Sequence, residues 1–284
     1  MILKKKEKPL HRDSHLLVTI DLEDHSTSSN DSNFEKVIIP VIDTLEEIGA
    51  SVTFFIVGEM IQTSKKLVNK LFSNGHEIGL HGYNHQPLAE LGPKLFEEHL
   101  KKGLTALEDA IGISAKGYRA PFCSLTKKTL WAPELLKQHG FIYSSSLTPA
   151  LNPVSGFPGA PKKPFLWECG LLEIPTPVFG FRRFSIPLFG GAYLRLAPKI
   201  LLQKVIKTRS ASRGDWTHAH PYDFDTEENY IRRKGQGWLE SKLLFSRRHL
   251  MLERFLDLAG PNTPTMQEIA TEMLSSCNLS TFKK

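Results

Sequence analysis

Four short clusters in this 284-residue chain bring together side chains that cooperate in hydrolysis. Asp21-Leu22-Glu23-Asp24-His25 crowds three acids into four residues, and His81-Gly82-Tyr83-Asn84-His85 sets two imidazoles four apart. Arg119-Ala120-Pro121-Phe122 and His218-Ala219-His220-Pro221 add a guanidinium and a second histidine pair. Two imidazoles and one carboxylate are a donor set for zinc or a similar divalent ion, with positions left for water and substrate. An ion held this way lowers the pKa of its water and polarises a carbonyl. Another carboxylate of the 21–24 cluster can take the proton of that water as general base. A lone pair of histidines four apart reads more simply as two exposed loop residues; the neighbouring acids turn the balance towards a metal. One helical turn over 81–85 would place both rings on the same side. Arg119 could grip the catalytic carboxylate bidentately and keep it ionised, because an adjacent guanidinium lowers a carboxyl pKa. His218 and His220, two apart on a strand, face the same way. One can protonate a departing amine or alkoxide, while His218 reads as a packed barrel histidine. Asp223 and Asp225 follow closely enough to orient His220.

These groups meet only if the segments carrying them end on one rim, as strands do in parallel α/β folds, where the βα loops form one open face. Short β-rich runs at 16–21, 51–57, 76–81, 116–121, 141–145, 171–176 and 216–221 predict seven strands. Helical periodicity fills the intervals. Phe34, Val37, Ile38, Val41, Leu45 and Ile48 share one face, as do Leu67, Val68, Leu71 and Phe72, and then Phe96, Leu100, Leu104, Leu107 and Ile111. Alternation of this kind implies a largely parallel sheet, as a barrel or an open twisted sheet, in one domain. The four clusters fall on or just after the first, third, fourth and seventh strands. Residues 148–164, rich in Pro and Gly, read as a surface loop, as does the apolar stretch 184–194 with Pro187 and Gly190-Gly191. Residues 239–258 read as a helical tail.

The charge balance is +6, with 36 Lys and Arg against 30 Asp and Glu, which favours anionic surroundings such as glycans or lipid head groups. The basic clusters at 4–6, 182–183, 232–234 and 247–248 are short and read as solvated faces. None is interleaved with aromatics in a nucleic-acid-binding module, so nucleic acid is not an expected partner. Cys123, Cys169 and Cys277 form neither a metal-type pair nor a disulfide framework, which fits a reducing compartment. The basic N-terminus has no apolar run behind it and no stretch reaches membrane-spanning length. A cytoplasmic protein is expected, with peripheral contact at the inner membrane surface through its basic faces and the 184–194 stretch.

Taken in order, Thr-Ile-Asp-Leu-Glu-Asp at 19–24, Gly-His-Glu-Ile-Gly-Leu-His-Gly-Tyr-Asn-His at 75–85, Gly-Tyr-Arg-Ala-Pro-Phe at 117–122 and His-Ala-His-Pro-Tyr-Asp-Phe-Asp at 218–225 resemble the motifs of the polysaccharide deacetylase family (carbohydrate esterase family 4, the NodB-homology fold). Gly190-Gly191-Ala192-Tyr193-Leu194-Arg195-Leu196 is also similar to a stretch in a bacterial subgroup tied to exopolysaccharide or surface-glycan synthesis. The resemblance implies a distorted (β/α)7-type barrel at 14–225 in a single domain, with an N-terminal extension at 1–13 and a C-terminal helical segment at 226–284 packing on the barrel. It implies one divalent metal, most simply Zn, with Co, Mn or Ni as alternatives, bound by His81 and His85. It casts Asp21 as general base, Arg119 as its partner and His220 as general acid. The N–H of Phe122 would meet the oxyanion, with Tyr83, Pro121 and Pro221 on the oxyanion and substrate side.

Two departures from the family pattern stand out. Leu22 occupies the place of the family's second, metal-binding aspartate, so Glu23 or Asp24 must supply that ligand. Glu23 is favoured because it shares a strand face with Asp21. Phe122 stands where Tyr is frequent. The implied reaction removes an N-acetyl or O-acetyl group from a sugar, in a polysaccharide or in a lipid- or nucleotide-linked precursor. Alternatives are a C–N hydrolase acting on a small non-sugar amide or formylated amino sugar, and a non-catalytic glycan-binding relative.

Overall fold

Strands rich in apolar residues are covered on both faces in parallel sheets, and the first two of this chain are. β1 (Leu17–Leu22) and β2 (Thr53–Ile56) are buried at every position. The computed structural model describes residues 16–24, 33–151, 156–180, 186–187, 189–228, 230, 238–261, 263–276 and 278–283. β3 (Glu77–Leu80), β4 (Gly117–Tyr118) and β5 (Tyr143–Ser144) follow, then β6 (Phe165–Trp167) and β7 (Leu172–Glu173). β8 (Val178–Phe179) and β9 (Ile186–Pro187) form a small separate antiparallel pair. β10 (Trp216–Ala219) and β11 (Thr281–Phe282) complete the set.

The main sheet has nine strands in the order β10-β1-β2-β3-β4-β5-β7-β6-β11. Every neighbouring pair is parallel except β6 with β7. The sheet is wrapped by helices as expected of the (β/α)7 type, but it is not closed: β10 and β11 remain its two edges. The helix Phe34–Glu47 buries Ile38, Val41, Ile42 and Leu45 on one face and runs through Pro40. The helix Leu88–Ile111 turns Phe96, Leu100 and Leu107 inward and ends at the left-handed Gly112. β1, β3, β4 and β10 therefore deliver the four polar clusters to one rim.

Elsewhere the elements differ from expectation. Residues 191–196 of the stretch read as a loop form a helix, Gly191–Leu196, followed by a second, Lys199–Ile206; of residues 181–185 and 188 nothing is described. The tail at 239–258 is not one helix. It breaks at Arg247, whose φ of 55° cannot continue a right-handed helix, into Trp238–Phe245 and Met251–Leu258. The part after residue 226, expected to be wholly helical, also supplies β11. Its last helix, Met266–Ser275, is capped by Thr265 and Glu268, and its first turn is tied to the sheet by the Met266 N–H on Thr53 Oγ1 (2.8 Å) and the Gln267 N–H on Glu77 Oε2 (2.8 Å). Among the described residues no helix is long and apolar enough to cross a membrane. Cys123 and Cys169 are free thiols; Cys277, the 1–13 extension and the basic clusters at 4–6, 182–183 and 232–234 lie outside the described residues.

Candidate active site

Strand alternation puts Thr19 and Asp21 on the same side of β1, and there both meet the fully buried Arg119, which follows β4. Arg119 Nη1 donates to Asp21 Oδ1 at 2.6 Å and to Thr19 Oγ1 at 2.8 Å. Its Nη2 and Nε turn to the Ser145 hydroxyl and carbonyl, at 3.2 and 3.3 Å. The guanidinium lies between the rings of Phe55 and Trp216, 4.1 Å from each centroid, an attractive arrangement for a cation. The expected bidentate grip is thus absent: one nitrogen reaches one oxygen, because Thr19 and Ser145 share the fork. Burial pushes the Asp21 carboxyl up, but Arg119, together with His81, His220 and His218, more than offsets this and holds it below the usual carboxylate range.

Just beyond β1, buried Glu23 brings Oε2 against Nε2 of His85. One donor atom each from Glu23, His81 and His85 lies within 4.8 Å of the other two. Two imidazoles and a carboxylate converging this closely are the donor chemistry of a divalent ion. His81 Nδ1 lies 2.9 Å from the Arg119 carbonyl. Only an N–H can bond there, so Nε2 keeps its lone pair for a metal. Burial holds the His81 pKa down to about 4 against the pull of Asp21 and Glu23, so the ring is neutral at pH 7. Asp24 is exposed and stands outside this cluster.

The 81–85 segment is not the helical turn its spacing allowed. Gly82 (φ 67°) and His85 (φ 56°) are both left-handed, and this sharp loop sets the two rings 5.1 Å apart. A side chain at Gly82 would come within 2.9 Å of Pro121 Cγ, so Pro121 buttresses the loop. The Tyr83 ring packs on Gly58 and, at 5.4 Å, on His99, anchoring the loop to its flanking helices. Phe122 is half-exposed, with its ring 4.7 Å from that of His85. Phe122 and Cys123 adopt consecutive left-handed conformations, φ 58° and 48°, the kind of backbone strain that clusters at functional sites.

β10 supplies the opposite wall. His218 packs against Gly190, and burial holds its pKa down to about 4. His220 caps the short helix Pro221–Phe224, with Pro221 buried at its first position. Its Nε2 lies 3.2 Å from Glu23 Oε1 and 3.9 Å from Asp21 Oδ2. Nδ1 lies 3.2 Å from Asp223 Oδ2, and the ring stacks on Tyr222 at 4.8 Å. Burial opposes charge on His220, but Glu23, Asp223 and Asp21 outweigh it and raise the pKa to about 9. Asp225 takes no part: it binds Asn33 and caps the turn at Glu227 and Glu228. Asp223 pairs on its other oxygen with Arg195, Oδ1 to Nη2 at 3.1 Å. Nothing in the sequence spacing connects Arg195 to this wall.

The arrangement offers a carboxylate kept ionised, a donor set for a cation and a protonated imidazole around one space. Residues 17–143 match the model of the polysaccharide deacetylase family, and residues 145–270 match a domain of unknown function, DUF3473. A peptidoglycan deacetylase of Helicobacter pylori is 35% identical over 95 residues, 34% of this chain and 31% of its own length. A peptidoglycan deacetylase-like protein of Gibberella zeae is 32% identical over 110 residues, 38% of this chain and 32% of its own. The chain therefore spans about a third of the length of these curated relatives. A solved structure from Mycobacterium smegmatis, assigned as a polysaccharide deacetylase, superposes with a TM-score of 0.60 at 19% identity, covering 96% of this chain and 95% of that one. The match to the polysaccharide deacetylase family at 17–143 takes in the residues that build the site: Asp21, Glu23, His81, His85 and Arg119.

Proposed function

We propose that the chain is a metal-dependent deacetylase that hydrolyses the acetamido group of an amino sugar in a glycan or glycan precursor. The observation that carries this reading is the approach of His220 Nε2 to Glu23 Oε1 (3.2 Å) and to Asp21 Oδ2 (3.9 Å), which sets an acid and a base beside the Glu23–His81–His85 cluster. Glu23, His81 and His85 would hold the ion, most simply zinc for a set of two imidazoles and one carboxylate. When bound, it supplies an acidified water and a polarised acyl carbonyl.

The chain's own groups do the rest. Asp21 Oδ2, facing the site while Arg119 holds Oδ1, accepts the proton of the attacking water. The water oxygen bonds to the acyl carbon, and the Phe122 N–H meets the oxyanion that develops. His220 Nε2 gives its proton to the sugar nitrogen as the C–N bond breaks, releasing acetate and an amine. Tyr222 and Asp223 hold the imidazole in place. Relatives named as peptidoglycan deacetylases support an N-acetylated sugar as substrate. The positive charge balance supports an anionic partner, such as a lipid-linked precursor at the inner face of a membrane.

The test is acetate release from an N-acetylated chitin oligosaccharide and from peptidoglycan fragments, with protein stripped of metal and then reloaded with Zn, Co, Mn or Ni. Acetate formed only by reloaded protein is expected. Formate or ammonia from a substrate panel, without acetate, would instead point to the small-amide or formyl-sugar reading.

A further inference from the structure

Arg195 belongs to none of the clusters that carry the chemistry, yet it is one of two described arginines, with Arg119, that have no exposed surface at all. A guanidinium stays charged inside a protein, so a buried one needs anionic or carbonyl partners. Arg195 Nη1 donates to the carbonyls of Leu244 and Ser246, both at 2.9 Å. Nη2 lies 3.1 Å from Oδ1 of Asp223, itself fully buried. The other oxygen of that carboxylate, Oδ2, accepts the His220 N–H at 3.0 Å and lies 3.2 Å from His220 Nδ1. A continuous line therefore runs from Arg195 through Asp223 to the imidazole whose Nε2 faces Glu23 and Asp21.

The far end of that line is itself anchored. Arg254 Nη1 reaches the carbonyls of Leu194, Arg195 and Ala197 at 2.7, 2.6 and 2.8 Å, gathering the end of the helix Gly191–Leu196. At the start of that helix, Gly190 bridges to His218 of β10. The helix that carries Arg195 is thus held at both ends, by Arg254 of the helix Met251–Leu258 at its last turn and by β10 at its start.

We infer that Arg195 is a positioning residue for His220: by holding Asp223 Oδ1 it locks the carboxylate so that Oδ2 fixes Nδ1 and leaves Nε2 turned to the leaving group. This rests on the assignment of His220 as proton donor. It also gives residues 145–270 a role, since Arg195, His220, Asp223 and Arg254 all lie there. That region supplies and orients the proton-donating half of the site, and residues 17–143 supply the half that holds the ion and activates water.

The test uses the full-length zinc-loaded protein and two substrates that differ in their need for an acid. An N-acetylated chitin oligosaccharide expels a poor amine leaving group; 4-nitrophenyl acetate expels a phenolate that needs no proton. Arg195→Met is expected to lower kcat on the oligosaccharide by about tenfold or more, with KM, zinc affinity and turnover of the aryl ester little changed. Arg195→Lys should recover part of the loss. Asp223→Asn keeps an acceptor for His220 but breaks the ion pair, so it should show the same selective defect and carries the test if Arg195→Met does not fold. Equal loss on both substrates, or a rise in KM alone, would overturn the proposal and leave Arg195 as a support of the fold. His220→Ala separates the two assignments. If it is not selective for the amide, the proton-donor reading fails. If it is selective while Arg195→Met and Asp223→Asn behave as wild type, the positioning role alone fails.

Discussion

Arg119 holds Asp21 by one oxygen only: Nη1 lies 2.6 Å from Oδ1, while Oδ2 looks across 3.9 Å to Nε2 of His220. One side of the carboxylate fixes its charge and the other remains for chemistry. Asp21→Asn should lower kcat by about 10²–10⁴-fold, the range for loss of a general base, and retain metal. Acetate release together with metal analysis checks both halves of that statement.

Removing the partner has a different signature. Arg119→Ala leaves a buried carboxylate without its cation, and breaking a buried pair in this way destabilises by about 3–5 kcal/mol. The urea midpoint should fall, and fall less in Asp21→Asn/Arg119→Ala, where the stranded charge is gone. A double mutant no more stable than Arg119→Ala would show that the sandwich with Phe55 and Trp216 matters more than the ion pair.

The ligand choice can be read by calorimetry. Glu23→Gln should weaken zinc binding by more than the about 10–100-fold seen on losing an outer partner of a metal ligand. Asp24→Asn should leave the affinity unchanged, because Asp24 is exposed and outside the cluster. The opposite ranking would reverse the assignment.

Metal and proton are coupled at His220. Without metal its pKa is raised to about 9: burial opposes the charge, but Glu23, then Asp223 and Asp21, outweigh it. A cation on Glu23 cancels the attraction that favours the imidazolium, so loading should lower this pKa below about 9. The alkaline limb of the activity profile, where rising pH deprotonates the acid, should lie correspondingly lower. Histidine proton NMR with and without zinc follows the shift directly, and metal-free Glu23→Gln should move it in the same direction.

Gly190 admits no side chain. A Cβ there would stand 1.8 Å from Cε1 of His218, on backbone pinned by the His218 N–H to the Phe189 carbonyl at 3.1 Å. Gly190→Ala should destabilise by about 1–3 kcal/mol, as overpacking does, and reduce kcat by disturbing the strand that presents His220. His218→Ala in the same chain should restore much of the stability, a coupling that a double-mutant cycle in urea would measure.

Much of this site was legible because β1 and β3 are short strand-forming runs that lead into polar clusters. The same alternation distinguishes Glu23 from Asp24: Glu23 continues the face of Asp21, and Asp24 falls on the other side. The illegible parts have physical causes. A spacing of four allows a helical turn, but the left-handed Gly82 and His85 fold 81–85 into a sharp loop instead. Arg119 forgoes a bidentate grip because Thr19 and Ser145, distant in sequence, draw on the same guanidinium. β6, β8, β9 and β11 are two or three residues long, too short to show any period. Arg195 has a partner that only the folded chain reveals.

The order of strands has a last consequence. β10, from the region at 145–270, lies against β1, and β7, from that same region, lies against β5. The region at 17–143 is therefore clasped on both flanks by its C-terminal neighbour. A chain severed near residue 144 would leave β1 and β5 with bare edges, which invite foreign strands to pair. The two pieces should regain activity only when mixed and refolded together, and each alone should aggregate. The two regions are consecutive along the chain but inseparable as parts: either one exchanged for a foreign counterpart would have to fit at both ends of the sheet at once.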